Sequence, residues 1–167
     1  MITESEILNA SVLIVDDQEF NLRLLDRMLK NAGYTSVAST TNPQEVCDLY
    51  RQNRYNLILL DIEMPGMNGF QVLEELKKID PDDYLPVIVI TGHPEYKLRA
   101  LRIGAKDFIG TPFDRDEVLL RVHNMLEMRL LHEESKSHGK ALEQELEEVE
   151  SGQTLVIMQD IPDEKWL

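Results

Sequence analysis

The chain has 167 residues and 43% apolar content, enough for one domain with an ordinary core and an additional segment. Its formal net charge of −14 argues against the basic face that direct nucleic-acid binding or an anionic membrane surface requires. One cysteine, Cys47, allows no internal disulfide and reads as a small core residue. No apolar run approaches the ~18 residues that span a bilayer, and residues 1–10 lack a signal-peptide pattern, so a cytoplasmic protein is expected.

In chain order, Val12-Leu13-Ile14-Val15 predicts a buried strand, and it ends in Asp16 and Asp17. Phe20, Leu24, Leu25, Met28 and Leu29 recur at helical spacing, and Gly33 marks the helix end. Val37 centres a short second strand, and Asn42-Pro43 starts a helix through about Gln52 with Val46, Leu49 and Tyr50 inward. Leu57-Ile58-Leu59-Leu60 is the third strand, closed by Asp61 and followed by a Pro65-Gly66 turn; Phe70, Leu73 and Leu76 mark the next helix. Val87-Ile88-Val89-Ile90 is the fourth strand, ending at Thr91-Gly92. Leu98, Leu101 and Ile103 line a helix stopped by Gly104, and Phe108-Ile109 form the fifth strand. This alternation predicts an α/β fold with a flavodoxin-like (βα)5 doubly wound parallel sheet in the order 2-1-3-4-5. Its switch point lies between the first and third strands, where Asp16, Asp17 and Asp61 converge.

From residue 117 to residue 150 there is no proline, which predicts a long C-terminal helix with Val118, Val122, Met125 and Leu126 inward. One heptad frame takes Met125, Met128, His132, Ser135, Gly139, Leu142, Leu146 and Val149 along a single seam, apolar at its ends and not in its middle. Two readings stay open: a helix pairing with a second copy as a homodimer, and a solvated linker helix fraying near Ser135 to Gly139. His123, His132 and His138 lie there without metal-ligand company. The expected divisions are residues 11–128, a helical extension at 129–150, and a tail at 151–167 containing Thr154-Leu155-Val156-Ile157-Met158.

Taken singly, Asp16-Asp17 fits a helix N-cap, Asp61 a turn residue and Thr91 a strand-end hydroxyl. Gathered at the carboxyl ends of three neighbouring strands, they favour a site. Three clustered carboxylates require a counter-charge, and a hard divalent cation such as Mg2+ fits an all-oxygen donor set. A metal beside Asp61 also suits a carboxylate nucleophile toward phosphorus, with Thr91 placed to hydrogen-bond a phosphoryl oxygen.

Val15-Asp16-Asp17, the run from Leu59-Leu60-Asp61-Ile62-Glu63-Met64-Pro65-Gly66 to Met67-Asn68-Gly69, Ile90-Thr91, and Gly104-Ala105-Lys106-Asp107-Phe108 with Pro112-Phe113 together resemble the receiver domain of two-component response regulators over residues 11–126. The resemblance implies that Asp61 is the phosphoacceptor, fed by a sensor histidine kinase or phosphotransfer protein. It implies that Asp16, Asp17, Asp61 and the Glu63 backbone carbonyl hold Mg2+. It further implies that Thr91 and Phe108 switch the face formed by the fourth crossover helix, the fifth strand and the fifth helix. It does not imply an enzyme. Phe113-Asp114-Arg115 through Glu133-Glu134 resembles the junction that precedes HD-GYP-type cyclic-di-GMP phosphodiesterases, but no residues of that activity follow.

The sequence departs from the family at Thr111, where receivers carry a lysine before the fifth-strand proline. A threonine is neutral and short. Two readings of different classes follow: a working receiver with altered coupling, and a degenerate receiver that acts as a phosphorylation-independent docking or dimerisation module. A flavin-binding flavodoxin is disfavoured, because the first strand leads into acids and not into a phosphate-cradling loop.

Overall fold

The computed structural model describes residues 1–79, 84 and 86–150, the side chain of residue 150 excepted. Five strands form the sheet: β1 (Ser11–Val15), β2 (Ser36–Thr40), β3 (Leu57–Asp61), β4 (Val87–Thr91) and β5 (Asp107–Gly110). They are all parallel, in the order β2-β1-β3-β4-β5. Parallel neighbours need crossovers, and helices α2 (Glu19–Asn31), α3 (Val46–Asn53), α4 (Gly69–Ile79) and α5 (Pro94–Ile103) supply them, with α6 (Arg115–Glu150) after β5.

The three central strands, β1, β3 and β4, carry unbroken apolar runs because helices cover both faces of the sheet there, whereas the edge strands β2 and β5 are only partly buried. Alternate residues divide between two cores. Leu13, Val15, Ile58, Leu60, Val87 and Val89 join residues of α3, α4 and α5. Val12, Ile14, Leu57, Leu59, Ile88, Ile90 and Ile109 join those of α2 and α6. A one-residue slip of any strand would exchange its two faces, and each fully buried Leu or Ile contributes about 1.5–3 kcal/mol. The register sets Val15 against Leu60, Asp61 against Ile90 and Thr91 against Gly110, so the carboxyl ends of β1, β3, β4 and β5 come level.

Several sequence expectations are corrected. The chain has a further helix, α1 (Glu4–Leu8), capped by Thr3, whose side chain accepts from the Glu6 N–H. Ile7 is buried in the α2–α6 core, and the Glu4 carboxylate lies 3.0 Å from His123 on α6. Five residues carry too little periodicity to be seen in sequence. Asn42 caps a short 3-10 turn (Pro43–Glu45) that precedes α3, and α3 ends with Arg54 at φ 49. Leu98 does not line the core: it is exposed, and Ala100 is the buried residue of α5, because a helix resting on the edge of the sheet presents a narrow inner stripe. Phe20 is likewise exposed, 74% of its surface facing solvent.

In α6, Val118, Val122, Met125 and Leu126 are buried, as the periodicity predicts. Met125 therefore belongs to the domain core and cannot open a coiled-coil seam, whereas Met128, Leu142 and Leu146 are exposed. Contacts divide the chain into two compact units, Met1–Leu131 and His132–Leu167. The apolar run Thr154-Leu155-Val156-Ile157-Met158 lies outside the described residues. Among the described residues no helix is long and apolar enough to cross a membrane.

Candidate functional site

The site forms where β1 and β3 end. Asp16 follows the last residue of β1 and continues the ladder, its N–H donating to the Thr40 carbonyl at 3.3 Å. Its side chain is 1% exposed. One carboxylate oxygen accepts the Gln18 N–H at 2.8 Å, and Asn21 adds a side-chain hydrogen bond. The N-cap of α2 is Gln18, which makes no side-chain cap bond, so Asp16 and Asp17 are not the helix cap. Asp61 is the last residue of β3, half-buried, and accepts the Glu63 N–H at 3.3 Å.

Asp16, Asp17 and Asp61 each bring a carboxylate oxygen within 4.8 Å of the others. At that separation two like charges repel by about 3–4 kcal/mol for an effective dielectric of ~20. Burial, with repulsion from Asp16, Asp17 and Glu63 added, pushes the Asp61 carboxyl up to about 7 against the opposing hydrogen bond from Glu63. Burial also raises Asp16, opposed by its bonds from Gln18 and Asn21. A cluster this charged suits a hard divalent cation, and its donors are all oxygen, two of the three carboxylates being partly open to solvent. Mg2+, which keeps several waters and takes few carboxylates, fits these residues.

The loop after β3 is held by a close approach. A Cβ on Gly69 would stand 2.5 Å from the Asp61 carbonyl oxygen and 2.6 Å from the Ile62 Cα, while the Gly69 N–H donates to the Ile62 carbonyl at 2.9 Å. Only glycine lets the first turn of α4 pack this near the strand end.

Thr91 ends β4, is 4% exposed, and its hydroxyl oxygen accepts the His93 N–H at 3.0 Å. Thr111 meets the same strand end: its N–H donates to the Thr91 carbonyl at 3.3 Å, and its Oγ1 lies 2.8 Å from where a Cβ on Gly92 would stand. Asp16, Asp17, Asp61, Glu63, Thr91 and Thr111 thus line one cleft of about 480 Å³, with no lysine or arginine in its lining among the described residues. Phe108 is not in that lining. It sits in β5 opposite Val89, half-buried against the α3–α5 core.

Sequence reasoning missed two features. The Glu63 carboxylate is paired with His93 at 2.7 Å, and His93 also lies 3.2 Å from Glu95. A carboxylate and an imidazole in the loops after two adjacent parallel strands are the signal that could have found this pair. The exposed Phe20 rims the cleft, together with Phe113. Reading Phe20 as part of a helix stripe hid it, since its spacing matches core residues.

Residues 12–123 match the response regulator receiver domain family. The chain is 36% identical over 108 residues to chemotaxis protein CheY of Thermotoga maritima, which takes in 65% of this chain and 90% of that protein. It is 33% identical over 130 residues to response regulator PleD of Caulobacter vibrioides, 76% of this chain and 28% of PleD. Among solved structures, NtrX of Brucella abortus superposes with a TM-score of 0.70 and 31% identity, covering 77% of this chain and 29% of NtrX. Chemotaxis protein CheY4 of Vibrio cholerae gives 0.65 and 25%, covering 70% and 98%. The chain therefore spans nearly the whole of the small relatives and under a third of the large ones. Receiver domains are signalling domains that bind Mg2+ at an acidic pocket and are phosphorylated by histidine kinases or phosphotransfer proteins. With five parallel strands in the 2-1-3-4-5 order and the acids at their carboxyl ends, this chain belongs to the response regulator receiver domain family of bacterial two-component systems.

Proposed function

We propose that this receiver accepts a phosphoryl group on Asp61 from the phosphohistidine of a sensor kinase or phosphotransfer protein. Asp16, Asp17, Asp61 and the Glu63 backbone carbonyl would hold Mg2+. The observation that carries the reading is the meeting of three carboxylates within 4.8 Å at the ends of neighbouring strands. An Asp61 oxygen attacks phosphorus, the P–N bond breaks, its electron pair returns to the donor imidazole, and Asp61 is left as an acyl phosphate. When bound, the metal neutralises charge on the carboxylates and on the transferring phosphoryl oxygens.

Asp16, held by Gln18 and Asn21, keeps a fixed carboxylate orientation before any ligand arrives. The Thr91 hydroxyl can donate to a phosphoryl oxygen, and moving toward it exchanges the His93 N–H for the new partner. That exchange pulls on the start of α5 and gives the switch a local origin. Output then passes through Phe108 to the face made by α5, β5 and α6. Phe20 and Phe113, apolar at the rim of the cleft, offer the phosphodonor protein a landing surface. The receiver unit proposed is residues 11–128, with residues 129–150 as an extension that self-associates.

The test is intact-mass measurement after incubation with Mg2+ and acetyl phosphate. A gain of one phosphoryl group is expected in the native protein and none in Asp61→Asn. An unlabelled native protein, also blind to beryllofluoride at millimolar concentration, would sink the reading. A second reading, a docking module indifferent to phosphorylation, is favoured by Thr111 and by a cleft lining that, among the described residues, holds no lysine or arginine. That same unlabelled result would select it.

A further inference from the structure

Phe108 has two cations near its ring. The Lys97 ammonium lies 4.0 Å from the centre of its ring, and the Arg121 guanidinium carbon 5.5 Å. The two cations are held differently. Arg121 is fixed by one Nη1 nitrogen that donates to both Asp107 carboxylate oxygens at 2.8 and 2.9 Å, and by its Nε, which donates to Glu117 at 3.0 Å. Lys97 makes no ion pair among the described residues, and its recorded partner is the aromatic ring. It rides on the first half of α5, which begins at Pro94, directly after the loop carrying Thr91 and His93. The ring is half-buried and packs against the core shared with α3, α4 and α5.

We propose that Lys97 is a latch on Phe108. Its contact stabilises the ring in this half-buried position and ties that position to the start of α5, so inward movement of the ring must first break it. A two-state element responds only to differential contacts, and a ring turned inward would leave the Lys97 ammonium behind. Arg121 cannot follow the ring, being pinned by Asp107 and Glu117, whereas Lys97 moves with any shift of α5. Displacement of the β4–α5 loop at Thr91 therefore releases the ring, and occupancy of the ring site resists displacement of the loop. The inference rests on the proposed function for the source of that displacement and for the inward movement of Phe108.

Lys97→Met keeps the stem and removes the charge; Lys97→Arg keeps a cation. With Mg2+ present, titration with beryllofluoride followed by the backbone amide resonances of Phe108 and Ile109 reports the switched state. A cation–aromatic contact of ordinary strength at an exposed site corresponds to a factor of about two to five. Lys97→Met is expected to bind beryllofluoride that much more tightly than the native protein, and Lys97→Arg within twofold of it. Equal or weaker binding by Lys97→Met overturns the latch.

If the native protein shows no response at all, the acceptor reading has failed. The latch is then judged by a double-mutant cycle of Lys97→Met and Phe108→Leu in urea unfolding. A coupling factor of about two to five in the unfolding constant supports the contact, and a factor of one overturns it.

Discussion

Asp61 carries its own pH test. Its unfolded-state value is the ordinary 3.8 and its folded-state value about 7, so the fold favours the protonated form. Below 3.8 both states are protonated and the residue contributes nothing. Between 3.8 and 7 the unfolded chain loses the proton first, and stability falls as pH rises; above 7 the penalty is complete. In metal-free protein, Asp61→Asn is expected to be more stable than the native chain at pH 8 by about 2 kcal/mol, allowing for partial solvent access, with the difference gone near pH 3.5. Urea unfolding at the two pH values measures it, and a gap that persists at low pH would contradict the assignment.

Gly69 makes a second residue-scale prediction. Gly69→Ala drives a Cβ into backbone atoms of Asp61 and Ile62 that cannot turn aside. A loss of about 1–3 kcal/mol is expected in the same assay, the range of overpacking against a fixed neighbour.

At the scale of elements, α6 has two characters. Its first turns bury Val118, Val122 and Leu126 and are held by tertiary packing, while Leu142 and Leu146 are exposed. Among the described residues nothing lies within 4 Å of where a Cβ on Gly139 would stand, the helix's own backbone aside. Gly139→Ala should therefore stabilise the helical segment by about 1 kcal/mol, seen as increased helical circular dichroism on warming. Removal of the chain after Met128 tests the assembly role: sedimentation should show loss of self-association. Unchanged sedimentation would assign the dimer contact elsewhere or remove it.

For the whole molecule, a cation binding the folded acids and not the unfolded chain must raise stability by mass action, about 2.7 kcal/mol at a hundred times its dissociation constant. Thermal unfolding with added Mg2+ should show a saturable rise in the native protein and a reduced one in Asp17→Asn. A rise identical in both would place the ion somewhere else.

Much of this architecture is legible in the chain itself. Unbroken apolar runs such as Leu57-Ile58-Leu59-Leu60 identify strands covered on both faces, and the acids at their ends mark the site, because both signals are local and periodic. The short α1, the exposure of Phe20 and Leu98, and the loss of Met125 from the heptad seam were not legible. Helical spacing says which residues share a face and says nothing about what that face meets.

Asp61 shows the division most plainly. Its place at the end of a buried strand, and the departure at Thr111, are written in the sequence. Only the tertiary structure decided that its carboxylate oxygen would come within 4.8 Å of those of Asp16 and Asp17, and that Lys97 would settle on Phe108. Those contacts join residues on different elements, and their distances depend on strand register and helix docking, which no local pattern encodes.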